Sequence, residues 1–384
     1  MSRNAGPLAG IRVLQFEAIG PAPFAAMLLA DMGADVLLVD RPGPSGLGIR
    51  QERSYDVMSR GKRSVTLDLK SPSAVEAALA LIARADALIE GFRPGVMERL
   101  GLGPDVALQK NPRLVYGRMT GWGQAGPLAP RAGHDINYIA LAGVLHAFGR
   151  KGEAPVPPLN LVGDFGGGGM LLGFGVVCAL LEAQRSGRGQ VIDAAMVDGA
   201  ALLASMFHGL LAAKQWSEER AANILDTGAP WYDVYETADG RYVAIGAIED
   251  KFFAELASRL KLLDLPPQYD RSRWPDMRRR FAETFKSKTR DEWCRVFEGS
   301  DACFAPVLSW SEARTHGHAV ARSAYVNVAG VEQAAPAPRF SRTPAEAPQT
   351  PPERGEGGRQ ALASWGFDAG EVKRLESLGL EMKE

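Results

Sequence analysis

The chain has 384 residues, enough for two or three compact units, and its 46% apolar and 23% charged residues exclude wholesale disorder. Forty-four lysines and arginines stand against 45 aspartates and glutamates, a formal net charge of −1 that offers no pull toward nucleic acid or an anionic membrane. Three cysteines (Cys178, Cys294, Cys303) without a C-x-x-C argue against a disulfide framework or a structural zinc site, and point to a reducing compartment.

The chain opens on alternating elements. Ile11–Phe16 is an apolar run suited to a buried strand, Gly20-Pro21-Ala22-Pro23 is a turn, Phe24–Met32 has helical spacing and stops at Gly33, and Ala34–Asp40 is a second strand. The pattern returns with Ser64–Leu69 as strand, Ser73–Arg84 as helix and Ala87–Glu90 as strand, then Leu114–Met119. Strands separated by short helices predict an α/β, Rossmann-like parallel sheet covered on both faces, with ligands beyond the carboxyl ends of the strands. Apolar helices are expected at Ile139–Phe148, Leu171–Arg185 and Asp193–Trp216; the longest apolar stretch, Met170–Leu181, falls short of the ~18 residues of a membrane span and reads as a buried helix. From Gly228 the texture changes: a hairpin around Ala238-Asp239-Gly240, then amphipathic helices near Lys251–Leu260, Pro275–Lys286 and Thr289–Glu298. Six of 25 prolines fall in Ala334–Gly358, an extended connector, and a helix Asp368–Leu378 follows. The expected organisation is a large domain over 1–190, a linker helix over 191–229, a small α+β domain over 230–325, and a return over 326–384 that completes the large domain. The N-terminal Met-Ser-Arg-Asn-Ala-Gly lacks a leader's apolar core and the C-terminal Glu-Met-Lys-Glu is no peroxisomal address, so the expected compartment is the cytoplasm.

Several patterns offer chemistry. The β-loop-α-β opening ends at Asp40, placed to hold a ribose hydroxyl, but the loop Glu-Ala-Ile-Gly-Pro-Ala-Pro lacks the glycine fingerprint of a dinucleotide site. No G-x-x-x-x-G-K-[ST] and no G-x-S-x-G occurs. In Asp164-Phe165-Gly166-Gly167-Gly168-Gly169 a carboxylate precedes glycines that lead into a helix. Open amides there would favour an oxyanion while Asp164 served as base or nucleophile; equally, Asp164 caps the helix and the glycines serve a packing crossover. Gly133-His134-Asp135-Ile136-Asn137-Tyr138 gathers polar groups ahead of an apolar helix, whereas His146 and His208 sit among apolar residues and read as core or interface. His316 and His318 have no carboxylate or cysteine at ligand spacing, so no metal site is expected. The basic run Arg271–Arg280 reads as a solvated helix face. Arg41, Lys70 and Arg93 each follow a strand end, where three cations at one rim suit a polyphosphorylated ligand; three ordinary surface charges fit the spacing as well.

The segments Gly10–Pro42, Ile89–Gly103, Arg118–Pro127, Gly133–Tyr138 and Leu159–Gly169 together resemble the family III CoA-transferase superfamily, and Gly-His-Asp-Ile-Asn-Tyr followed by Asn-Leu-Val-Gly-Asp-Phe-Gly-Gly-Gly is similar to its α-methylacyl-CoA racemase branch. The resemblance covers residues 7–345. It implies a Rossmann-like large domain, a separate small domain and an interlocked homodimer with active sites where the large domain of one chain meets the small domain of the other. It also implies interconversion of (2R)- and (2S)-2-methylacyl-CoA thioesters, with no cofactor beyond the CoA of the substrate. His134 and Asp164 would be the two bases, Glu249 would orient His134, Asn160 would support Asp164, and Asp135 would assist. Arg41, Leu67, Lys70, Gly91, Phe92, Arg93 and Arg99, with Gly133, Asp135, Ile136, Asn137 and Tyr138, would bind the CoA thioester; Phe92 departs from the tyrosine of relatives. A two-base exchange predicts a raised Asp164 pKa in an apolar setting, and methionines (Met170, Met196, Met206) are candidate walls for an acyl tail, with core packing as their other role. Two alternatives stay open: a CoA-transferase with Asp164 as nucleophile, or a non-catalytic acyl-CoA-binding protein.

Overall fold

A computed structural model describes residues 5–383 and divides them into two compact units. The larger comprises the chain up to Ala142, Pro158–Leu203, and the chain from Ala321 onward; the other comprises Gly143–Pro157 and Ala204–Val320.

The larger unit is built on a six-stranded parallel sheet of β1 (Arg12–Phe16), β2 (Asp35–Asp40), β3 (Arg63–Thr66), β4 (Ala87–Glu90), β5 (Val115–Thr120) and β6 (Gln190–Ala195), in the order β3-β2-β1-β4-β5-β6. Alternation along each strand divides its side chains between two cores. Leu14, Leu37, Leu88 and Tyr116 face one, under the helix Pro72–Ile82; Val13, Val36, Ala87, Ile89 and Val115 face the other, under the helices Pro21–Asp31 and Leu171–Ser186. β1 and β4 lie side by side although two strands separate them in sequence, so the loops after them open at the point where the strand order reverses.

Several segments differ from the sequence-based expectation. Pro21–Pro23, expected within a turn, open the helix Pro21–Asp31, and in place of a helix over Ile139–Phe148 the helix runs Asp135–Leu141. Residues 193–195, expected to open the helix Asp193–Trp216, are the end of β6; the strand pairs with β5 at the sheet edge and leaves Val191 and Asp193 exposed, so it carries none of the continuous apolar signature of the inner strands. Leu161–Met170, five glycines included, is a π-helical stretch that runs directly into Leu171–Ser186. The combined helix is long and apolar enough to cross a bilayer by composition, and 44% of its most apolar window is buried in the protein. Leu172, Val176 and Ala179 enter the core, while Met170, Phe174, Val177 and Leu181 form an exposed stripe.

The return is tied in by buried polar contacts. Arg60 pairs with Asp31 (2.5 Å, both side chains 3% exposed) and donates to Gln333 Oε1 and the Ala334 carbonyl at 2.8 Å each. Arg53 Nε donates to the Pro352 carbonyl at 2.6 Å. Beyond it, the helices Gly358–Ser364 and Ala369–Ser377 bring Leu362, Trp365, Val372 and Leu375 into the first core, and the backbone of Thr66 exchanges hydrogen bonds with Glu381 at the open edge of β3.

Lys62 is buried between β1 and the first turn of Pro21–Asp31, donating to Gln15 Oε1 (2.8 Å) and the Pro23 carbonyl (3.0 Å). Burial pushes its pKa down to about 7 despite the nearby Asp56 and Asp40. A free lysine titrates near ~10.4, so the unfolded chain binds more protons between those values and the penalty is full below about pH 7, fading as pH rises. Lys62→Met removes it. The melting temperature of the variant relative to the native chain is therefore most favourable at pH 6 and loses ground steadily toward pH 10; a difference that stays flat across that series of melts contradicts the assignment.

The smaller unit holds an antiparallel sheet in which Tyr242–Gly246 lies between Tyr232–Glu236 and Phe304–Pro306, packed through Trp231, Phe281, Phe285 and Trp293 against helices Asp250–Leu260, Trp274–Phe285 and Arg290–Phe297. Within the basic run, Arg278, Arg279 and Arg280 pair with Asp233, Asp276 and Asp264, so these charges are neutralised locally.

Candidate active site

Asp164 is the fourth residue of the π-helical stretch and half-buried. Its Oδ2 accepts from Asn160 Nδ2 at 3.1 Å, one turn earlier, and its backbone N–H donates to Asp135 Oδ1 at 2.6 Å, with the Gly163 amide on the same carboxylate. Asp135 is the first residue of the helix Asp135–Leu141 and His134 is its cap, so this carboxylate fixes the segment of one candidate base against that of the other. Asp135 Oδ2 is buried and has no hydrogen-bond partner among the described residues. The His134 ring is exposed, and its backbone N–H is held by Asn137 Oδ1 at 3.0 Å.

Burial raises the Asp164 pKa; the Asn160 hydrogen bond and the nearby His134 oppose the rise, and the negative Asp135 adds to it. Asp135 is raised as well, by burial against the pull of two backbone amides. The direction for Asp164 is the expected one, but its setting is a polar cluster rather than an apolar pocket. Gly20 explains how the carboxyl fits. With φ of +66° it takes a left-handed turn before Pro21, and a Cβ there would stand 3.2 Å from Asp164 Oδ2.

The glycines do not present open amides. Gly166–Gly169 lie inside the helix, and the first amides are committed to Asp135. Their role is close packing: a Cβ on Gly167 would come within 2.6 Å of Ala200 N, and one on Gly169 within 2.6 Å of the Phe24 ring. Asp164 is not a helix cap either. Met196 is buried, whereas Met170 and, in the smaller unit, Met206 are exposed.

Beside this cluster, at the carboxyl ends of β1 to β4, lies a cavity of about 510 Å³ lined by Glu17, Arg41, Leu67, Lys70, Phe92 and Leu100, among others. Four of the expected CoA contacts therefore converge on one opening. The Arg41 guanidinium stands 5.9 Å from the Phe92 ring centroid. Its peptide is clamped from both sides: Glu17 Oε2 accepts the N–H at 2.8 Å and Arg354 Nε donates to the carbonyl at 3.1 Å. Arg93 and Arg99 are exposed on the next loop and helix, Arg93 close enough to the buried Tyr138 for its charge to act on it. Tyr138, whose hydroxyl donates to the Gly133 carbonyl, has its pKa pushed up to about 12 by burial and by Asp164. Asp40 is not free for a ribose: Arg53 holds both its oxygens (2.9 and 2.5 Å) and Ser64 donates to Oδ2 at 2.5 Å.

Glu249 belongs to the smaller unit, exposed and directly ahead of the helix Asp250–Leu260. His146 is exposed, with Nε2 2.9 Å from the Glu218 carbonyl. His318 donates its backbone N–H to His316 Nδ1, and no group of three His, Cys, Asp or Glu side chains gathers around a point among the described residues. Glu17 and Arg354 were not legible as site residues, since 337 positions separate them; the only hint was that each is a charge at a predicted loop or connector, Arg354 directly before Gly355.

Curated relatives include the alpha-methylacyl-CoA racemases of Mus musculus, 46% identical over 374 residues, and Homo sapiens, 44% identical over 376, each alignment covering 96% of both chains. The crystal structure of a CAIB/BAIF family protein from Brucella suis superposes with a TM-score of 0.79 at 25% identity, covering 94% of this chain and 100% of that one. The pattern of CoA-transferase family III matches residues 8–357, nearly the whole chain, and the protein belongs to that family.

Proposed function

We propose that the protein is an isomerase that interconverts (2R)- and (2S)-2-methylacyl-CoA thioesters, with His134 and Asp164 as the two bases. The observation that carries this is the Asn160–Asp164–Asp135 cluster, which brings a carboxyl of raised pKa within charge range of His134 beside a cavity rimmed by Arg41 and Lys70. The near-full-length likeness to alpha-methylacyl-CoA racemases supports the same reaction.

The α-proton of a thioester is weakly acidic, so its removal needs a base on one face and a place for charge on the thioester oxygen. One base takes the proton and the C–H electron pair moves into an enolate. The conjugate acid of the other base then delivers a proton to the opposite face, and the enolate pair forms the new C–H bond. The raised Asp164 pKa brings its proton affinity toward that of an imidazole, so either direction begins from a pair that shares one proton. The first π-helical amides are committed to Asp135 and so do not serve the enolate oxygen. Arg41, Lys70, Arg93 and Arg99 take the phosphates of CoA, and Leu67, Gly91 and Phe92 line its passage. The functional unit is an interlocked homodimer, in which Glu249 of the partner subunit orients His134; the stripe Met170, Phe174, Val177 and Leu181 gives a second copy an apolar surface to cover.

A single enantiomer of a 2-methylacyl-CoA in D₂O tests the reading. The expected result is α-deuteration together with loss of optical purity. Transfer of CoA to an added carboxylic acid would assign Asp164 as a nucleophile instead, and binding with neither outcome would leave a non-catalytic acyl-CoA carrier.

A further inference from the structure

Arg118 sits within β5, where an unpaired cation would be costly, and it is paired twice. Its Nε donates to Glu90 Oε1 at 2.9 Å, and its two terminal nitrogens donate to the two Glu98 oxygens at 2.7 and 3.2 Å. The Glu90 side chain has no solvent exposure and that of Arg118 only 7%. The second oxygen of Glu90 accepts the Phe92 backbone N–H at 2.7 Å. Strand pairing places Glu90 directly opposite Arg118, so the sheet register delivers this contact.

One guanidinium thus joins two separate pieces of chain. Through Glu90 it holds the turn Gly91–Arg93 that follows β4, and through Glu98 it holds the short helix Val96–Arg99. The turn and the helix carry Phe92, Arg93 and Arg99, assigned above to CoA, while Arg118, Glu90 and Glu98 are absent from the lining of the cavity. An apolar side chain of similar volume would satisfy the same space without the desolvation of Arg118 and Glu90, Glu98 being largely exposed. A planar fork fixes angles that an apolar residue would not.

We propose that Arg118 is a positioning residue for the nucleotide end of CoA: with Glu90 and Glu98 it sets the spacing of the Phe92–Arg93 turn and Arg99. The proposal rests on the CoA reading given above. It predicts a selective defect. Arg118→Lys keeps the charge and loses the fork; Glu98→Gln weakens one arm without leaving a buried charge bare, and serves if the first variant does not fold. Calorimetry with CoA alone is expected to show affinity weakened about tenfold in either variant, the effect of losing a charge-assisted hydrogen bond. In racemisation assays KM for an acyl-CoA rises correspondingly, kcat holds, and KM for an acyl-pantetheine thioester, which lacks the nucleotide, stays put. Equal losses for both substrates, or unchanged CoA affinity in a folded variant, overturn the proposal. Failure of the native protein to bind CoA would remove the functional reading and this proposal with it, whereas native binding with unselective variants removes this proposal alone.

Discussion

Asp164→Asn lowers racemisation of either enantiomer about 10³-fold, the usual order for loss of a general acid–base group, while leaving the fold intact. The amide has the shape of the carboxyl it replaces, so the close approach of Gly20 and the helix around it are undisturbed. What disappears is a group able to take or give the proton on one face of the α-carbon. His134 is still present on the other, so one enantiomer continues to exchange its α-hydrogen with D₂O while retaining configuration. Chiral chromatography with mass spectrometry reads both quantities in one sample. A variant that keeps more than a tenth of native racemisation, or that loses exchange from both enantiomers equally, contradicts a two-base mechanism. On the two-base mechanism proposed, the working form of the native enzyme carries one proton on the pair, and kcat/KM is expected to fall at low pH when both bases are protonated and at high pH when neither is. Because the equilibrium between the enantiomers does not depend on pH, both directions share one bell.

Trp365→Ala destabilises the larger unit by about 3–5 kcal/mol, measured as the shift in its urea unfolding transition. The indole is 2% exposed, packs within the core formed by Leu37, Leu81 and Leu362, and donates Nε1–H to Asp35 Oδ2 at 3.0 Å. Truncation removes a large apolar volume and leaves a carboxylate oxygen with one donor fewer. A loss below 1 kcal/mol would mean that the terminal helices dock only loosely. This matters because the family pattern ends at residue 357, ahead of both helices. Their apolar faces nevertheless belong to the same core as the first strands of the chain.

The inner sheet was legible because buried parallel strands write themselves as short apolar runs. Ala87–Glu90 has the same limits in the sequence reading and in the fold, and β2 differs by one residue. β6 was not, since an edge strand rich in alanine lacks that signature, and nothing in sequence marks a π-helical stretch. His134 and Asp164 were legible as local clusters around a turn. Their tie through the Asp135 carboxylate was not, because a side chain reaching the backbone 29 residues away leaves no periodic trace. Ion pairs such as Arg60 with Asp31 and Arg118 with Glu90, and the Glu17–Arg354 clamp, are products of topology alone.

Glu17 lines the large cavity and Gly20 touches Asp164, so three peptide steps, at most about 11 Å of chain, join the place assigned to the phosphates to the place assigned to proton transfer. On that assignment the stretch would work as a ruler, measuring from the handle of the substrate to its reacting carbon and taking no account of what lies beyond. Selectivity of such an enzyme falls on the length of the arm, and a homologue of the thiol carrier shortened by a few atoms would be rejected where a much longer or bulkier acyl group would pass.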